Sequence, residues 1–137
     1  MNKVIIFVII ITIVTSCSSR QFSLDSHVVR SGAAKSMILI PTGALVESCD
    51  TIVNDTEFKI GILDNKIVFV STDDSKFSID GYRINSTLPT GFFKNKLGYA
   101  PGWGYYAELD SGWYAGFDFS KKPTEETPIK FFFKFDF

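Results

Sequence analysis

Between Trp103 and Phe119 the side chains alternate with a period of two, and they do so on both sides of a tight turn. Trp103, Tyr105, Ala107 and Leu109 share one face of a first strand. Trp113, Ala115, Phe117 and Phe119 share one face of its return. The opposite faces carry Tyr106 and Glu108, then Tyr114, Gly116 and Asp118. Asp110-Ser111-Gly112 supplies a three-residue hairpin loop, with Gly112 suited to the left-handed position. So apolar a face must be covered, because each aromatic side chain buries about 150–250 Å². Alternation of this strength commits the region to sheet.

The same pattern runs through the chain from Met37. Met37 to Ile40 is a short apolar run stopped by Pro41. Phe58–Leu63 and Ile67–Ser71 flank Asp64-Asn65-Lys66, a hairpin turn whose first two residues tolerate positive φ. In the first of these strands Phe58, Ile60 and Ile62 oppose Lys59, Gly61 and Leu63, so it reads as half-buried. The second is apolar on both faces and reads as more central. Gly61 marks a bulge or a close backbone approach. Thr72–Ser75 is a turn, and Lys76–Ile84 is extended but broken at Asp80-Gly81. Ile129–Phe137 is a terminal strand with one buried face, carrying Phe131, Phe133, Phe135 and Phe137; Lys130, Phe132, Lys134 and Asp136 lie opposite. One helix is expected within Ser86–Lys96, capped by Ser86 or Thr87 and ended by Gly98, with Leu88, Phe92 and Phe93 on one side. The expectation is an α+β fold: one domain over residues 36–137, mainly antiparallel sheet with one short helix.

The first residues read differently. Lys3 precedes an apolar run from Val4 to Val14, and small residues follow up to Cys17, the layout of an export signal. The run is too short for a membrane-spanning helix, which needs about 20 residues. Val14-Thr15-Ser16-Cys17 resembles a bacterial lipobox. The resemblance implies a lipoprotein signal peptide over 1–16, fatty acylation (palmitate) of Cys17 as the new N-terminus, and a membrane anchor. In the Gram-negative lipoproteins it resembles, Asp after the acylated cysteine often retains the protein at the inner membrane. Ser18 therefore implies the outer membrane. Residues 17–35 read as the lipidated tether, rich in Ser and Arg and without a period of 2 or 3.6. A flexible linker of that length spans roughly 20–25 Å.

Cleavage before Cys17 removes Lys3 from the 14 basic residues and leaves 13 against 15 acidic ones, a formal charge of −2. Nucleic-acid binding needs a basic stripe, which this composition lacks. A disulfide between Cys17 and Cys49 would compete with acylation of Cys17. Cys49 reads as a small buried hydrophobe, with no His or basic residue beside it to activate the thiol.

Nothing in the chain reads as catalytic. The single histidine, His27, lies in the tether. Asp73, Asp74 and Asp80 do not have calcium-loop spacing and sit where turns are expected. Nucleophile, phosphate-loop and zinc motifs are missing, and Glu108 with Asp118 reads as a soluble hairpin face. The expectation is a protein that is not an enzyme and uses neither cofactor nor metal.

Binding is the stronger reading. Tyr99, Trp103, Tyr105, Tyr106, Trp113 and Tyr114 fall within 16 residues. Tyr106 and Tyr114, on the mixed face, lead as candidates for a ligand or partner surface; Trp103 and Trp113 read chiefly as core with rims that reach it. A protein partner in the envelope would use a sheet edge or this rim. A glycan ligand would use coplanar exposed rings beside Asp or Glu.

Ile67-Val68-Phe69-Val70-Ser71-Thr72-Asp73, Lys76-Phe77-Ser78-Ile79-Asp80-Gly81-Tyr82-Arg83-Ile84, Ser86-Thr87-Leu88 and the hairpin from Gly102 to Phe117 together resemble small uncharacterised bacterial lipoproteins built from strands, a short helix and an aromatic hairpin. That group implies the fold and no particular activity. The chain is also loosely similar to the small α+β lipoproteins of outer-membrane assembly, which implies an accessory role there. It departs from them in two places: Asn85 replaces a Gly at the helix start, and Gly98-Tyr99-Ala100-Pro101 replaces a Gly-Lys-Pro break.

Overall fold

A computed structural model describes residues 36–135. Cys17, His27 and the ends of the expected terminal strand, Asp136 and Phe137, lie outside the described residues.

Four strands follow one another as a meander: β1 (Ser36–Leu39), β2 (Leu45–Val53), β3 (Thr56–Leu63) and β4 (Lys66–Thr72). Tight two-residue turns fold β2 onto β3 and β3 onto β4. Asn54 and Asp55 take φ of 48° and 64°, and Asp64 and Asn65 take 50° and 62°. These left-handed pairs match the twist of the flanking strands, and Asn and Asp adopt them at low cost. The chain then leaves the sheet for a small hairpin, β5 (Ser78–Ile79) and β6 (Tyr82–Arg83), turned by Asp80-Gly81, and for a helix, α1 (Thr90–Asn95). It returns as a second meander: β7 (Leu97–Ala100), β8 (Gly104–Glu108), β9 (Tyr114–Gly116) and β10 (Phe131–Phe135).

The two meanders join into one eight-stranded sheet in the order β1-β2-β3-β4-β10-β9-β8-β7. Every pairing in it is antiparallel. The protein is thus α+β, mainly antiparallel sheet with one short helix among the described residues. The last strand is the seam: β10 pairs β4 on one side and β9 on the other. The sequence expectation of one buried face for this strand is therefore corrected. Phe132 and Phe133 are neighbours on opposite faces, and both are fully buried.

The outer face of the sheet is covered over part of its width by β5, β6 and α1. Leu88, Ala107, Leu109, Ala115, Phe117, Ile129 and Phe132 form one cluster there. Phe58, Ile60, Ile67 and Val70 continue it, with Phe77 and Trp113 packed against both groups. The inner face buries Val46, Phe69 and Phe133, with Trp103, Tyr106, Tyr114 and Phe131 against them. Cys49 is buried on the outer side, but the reading of it as a lone small hydrophobe is corrected, because it is disulfide-bonded.

Gly61 does both things foreseen for it. The β3–β4 register slips between Gly61 and Ile62. A Cβ at Gly61 would stand 2.8 Å from Val46 Cγ2 and 3.0 Å from Phe69 Cβ. The helix is shorter than expected. Its start is Pro89, with no side-chain cap. Ser86 spends its hydroxyl instead on the turn after β6, accepting from the Arg83 N–H and donating to the Arg83 carbonyl at 2.7 and 2.8 Å. Its backbone pairs with Ile129. Gly98 does not end the helix either; it lies in β7, where the Tyr106 ring packs onto it.

Gly61→Ala is expected to lower unfolding free energy by about 1–3 kcal/mol, the usual cost of overpacking. Urea denaturation of the purified domain measures it.

Candidate functional site

The sheet curls so that its inner face closes on itself. Trp103, in the β7–β8 turn, donates its indole N–H to the Leu39 carbonyl of β1 at 2.7 Å. The two edges of the sheet thus meet through one side chain. The sequence places Trp103 on the same face as Tyr105, and this is corrected. Trp103 is flanked by Gly102 and Gly104, with φ of 81° and 79°. Two left-handed residues break the alternation and turn the indole to the inner face, onto Phe69, Phe131 and Phe133 at ring distances of 5.1, 5.7 and 5.8 Å. Phe119 also departs from expectation: β9 ends at Gly116, and Phe119 is exposed beyond it.

Beside Trp103 the inner face opens into a groove of about 720 Å³. Trp103 and Phe131 contribute its aromatic part; Asp50, Lys59, Ser71, Asp73 and Lys130 contribute polar groups. Such a size suits a small ligand or a few side chains of a partner. Lys59 Nζ lies 2.6 Å from Asp50 Oδ1 in an exposed pair, which adds specificity of shape more than stability.

One end of the groove is held by a knot of turn contacts. Thr72 Oγ1 donates to the Glu57 carbonyl at 2.6 Å and accepts from the Asp74 N–H at 3.1 Å. The Asp74 carboxylate accepts from the backbone N–H groups of Lys76 and Glu57 at 2.9 and 3.0 Å. These two bonds, the Lys76 one foremost, hold the Asp74 carboxyl below its ordinary value of 3.8. Lys76 Nζ reaches Asp55 Oδ2 at 3.1 Å, and that hydrogen bond raises its ammonium above the ordinary 10.5. Asp74 and Asp80 therefore serve turns, as their spacing suggested; Asp80 accepts the Ser111 N–H at 2.9 Å. Among the described residues no three His, Cys, Asp or Glu side chains gather in a way that could hold a metal ion.

The four aromatic candidates separate. Trp103 lies in the groove wall. Trp113 is on the outer face against Phe77, at 4.9 Å. Tyr106 and Tyr114 share the inner face, half-buried, with rings 5.4 Å apart and perpendicular. Tyr114 stacks between Phe133 and Phe135 at 5.1 and 4.9 Å. The two tyrosines meet each other edge to face and do not present a coplanar pair. The groove residues missed from the sequence are Asp50, Lys59, Ser71, Lys130 and Phe131. The strand β2 was itself unread, although Asn54-Asp55 between two alternating runs is a hairpin signal.

Compared with protein-family models, curated proteins and solved structures, the chain matches none of them.

Asp74 gives a pH signature. Its carboxyl titrates lower when folded than when unfolded, so the stability it adds is present above the unfolded value. That stability is lost as pH falls through the folded one. Asp74→Asn is therefore expected to be less stable than wild type at pH 7, with the gap closing below about pH 4. Urea midpoints between pH 2 and 7 test this; a gap unchanged at low pH contradicts it.

Proposed function

We propose that the chain is a lipid-anchored protein of the bacterial envelope. Cys17 carries the acyl anchor, the outer membrane holds it, and the folded domain serves a non-enzymatic accessory role by binding another envelope protein. The observation that carries the binding reading is the groove beside Trp103. A rigid indole fixed at its N–H, a second ring and charges of both signs line one depression. Partner anchors favour such places: an aromatic centre with a polar rim. The acylated cysteine supports attachment on physical grounds. Each inserted methylene contributes about 0.8 kcal/mol, so two or more chains hold a protein stably.

A glycan ligand is the alternative. Trp103 favours it, with the carboxylates of Asp50 and Asp73 lining the same groove. The perpendicular pair Tyr106 and Tyr114 gives it no platform.

Two measurements test the proposal. The intact mass of the mature chain should start at Cys17 and carry the acyl groups. A mass two hydrogens light and without acyl groups, from a Cys17–Cys49 disulfide, overturns the anchor, because the Cys17 sulfur carries only one substituent. In cells, a photo-crosslinking residue at Ile52 in the groove should give one discrete protein adduct that Cys17→Ala abolishes. Adducts with polysaccharide alone replace the protein reading with the glycan one.

A further inference from the structure

The outer face of the sheet is not covered everywhere. Where β1 and β2 pair, Met37 stands opposite Glu47 and Leu39 opposite Leu45. Val46 and Ser48, the alternate residues of β2, are buried toward the inner side. Met37, Leu39 and Leu45 are 53%, 44% and 60% exposed, so three aliphatic side chains stand together on a two-stranded ribbon. Scattered apolar residues are ordinary on a protein surface; a cluster on one face marks a contact.

The position of this ribbon says what it meets. Ser36 opens β1, and the 18 residues 18–35 separate it from Cys17. Fully extended, that stretch reaches at most about 60 Å. Of all the sheet, β1 is therefore the strand tied most directly to the anchor. Charge points the same way. Residues 17–35 carry Arg20, Arg30 and Lys35 against Asp25, whereas residues 36–137 carry ten basic and fourteen acidic side chains. Anionic headgroups attract the basic stretch and repel the acidic domain. Beside the basic stretch the domain presents these three aliphatic side chains, with one carboxylate, Glu47, on the same ribbon face.

We propose that Met37, Leu39 and Leu45 form a membrane-contact face, which seats the β1–β2 ribbon in the headgroup layer of the bilayer that carries the anchor. This rests on the Cys17 anchor. The groove lies on the other side of the sheet: Leu45 is on the outer face and Asp50 on the inner one. A domain seated on its ribbon thereby turns the groove away from the lipid, toward a partner.

The test separates this contact from acylation itself. The mature chain with Cys17→Ala and an N-terminal hexahistidine is docked on vesicles of phosphatidylethanolamine and phosphatidylglycerol containing a nickel-chelating lipid. This docking replaces the anchor whether or not Cys17 is acylated in cells. A photo-crosslinking residue is placed at Leu45, at Met37 or, as a control, at the exposed Lys121. Phospholipid adducts at Leu45 and Met37 at least five-fold above Lys121 are expected. With the crosslinker kept at Met37, Leu39→Ser plus Leu45→Ser should abolish the excess. Equal labelling at all three positions, or none, overturns the proposal even if mass spectrometry finds Cys17 acylated. If Cys17 is not acylated but the excess appears, the face survives and the native anchor does not.

Discussion

The pairing of β10 with β4 is the contact on which the rest of the structure depends. Each four-stranded meander is local in sequence, but 58 residues lie between β4 and β10 at their nearest ends, Thr72 and Phe131. Only their ladder makes one sheet of the two halves. Its register sets Phe132 opposite Thr72 and Phe133 opposite Ser71. Because a strand alternates sides, two adjacent phenylalanines then enter two different cores at once. A slip of one residue would exchange every side chain between them. Removing either ring would cost about 3–5 kcal/mol by comparison with other buried Phe→Ala changes, a large share of the 5–15 kcal/mol that folded proteins possess.

Given that seam, the curl of the sheet follows from small residues. Gly61 lets β3 approach Val46 and Phe69, and its register slip bends the strand. Gly98 and Gly116 leave room for the rings of Tyr106 and Phe131 to lie across the backbone. Gly102 and Gly104 turn Trp103 inward, and its N–H then caps the Leu39 carbonyl. That bond occupies an acceptor on an edge strand, which protects the edge from unwanted pairing. The strand count reaches that of the smallest membrane barrels. However, the strands run from three to nine residues, and β1 does not pair with β7.

Much of the fold was legible because period-two alternation and Asx turns are local signals. The β3–β4 hairpin, the break at Asp80-Gly81 and the left-handed Gly112 are where the sequence places them. What failed depended on distant parts of the chain. The alternation of Trp103 is interrupted by two glycines, so counting by twos through it puts the indole on the wrong face. Ser86 resembles a helix cap, yet it serves a turn because Ile129 pairs with the backbone beside it. The groove was illegible for the same reason: Asp50, Lys59, Trp103 and Phe131 come from β2, β3, the β7–β8 turn and β10. Nothing near each in sequence announces the others.

Amide hydrogen exchange on the mature chain tests the seam most directly. The backbone amides that pair β4 with β10 should exchange only on global unfolding, as slowly as any in β2 and β3. Exchange of the β10 amides by local opening, while β2–β4 stay protected, would make the last strand an add-on and contradict the account.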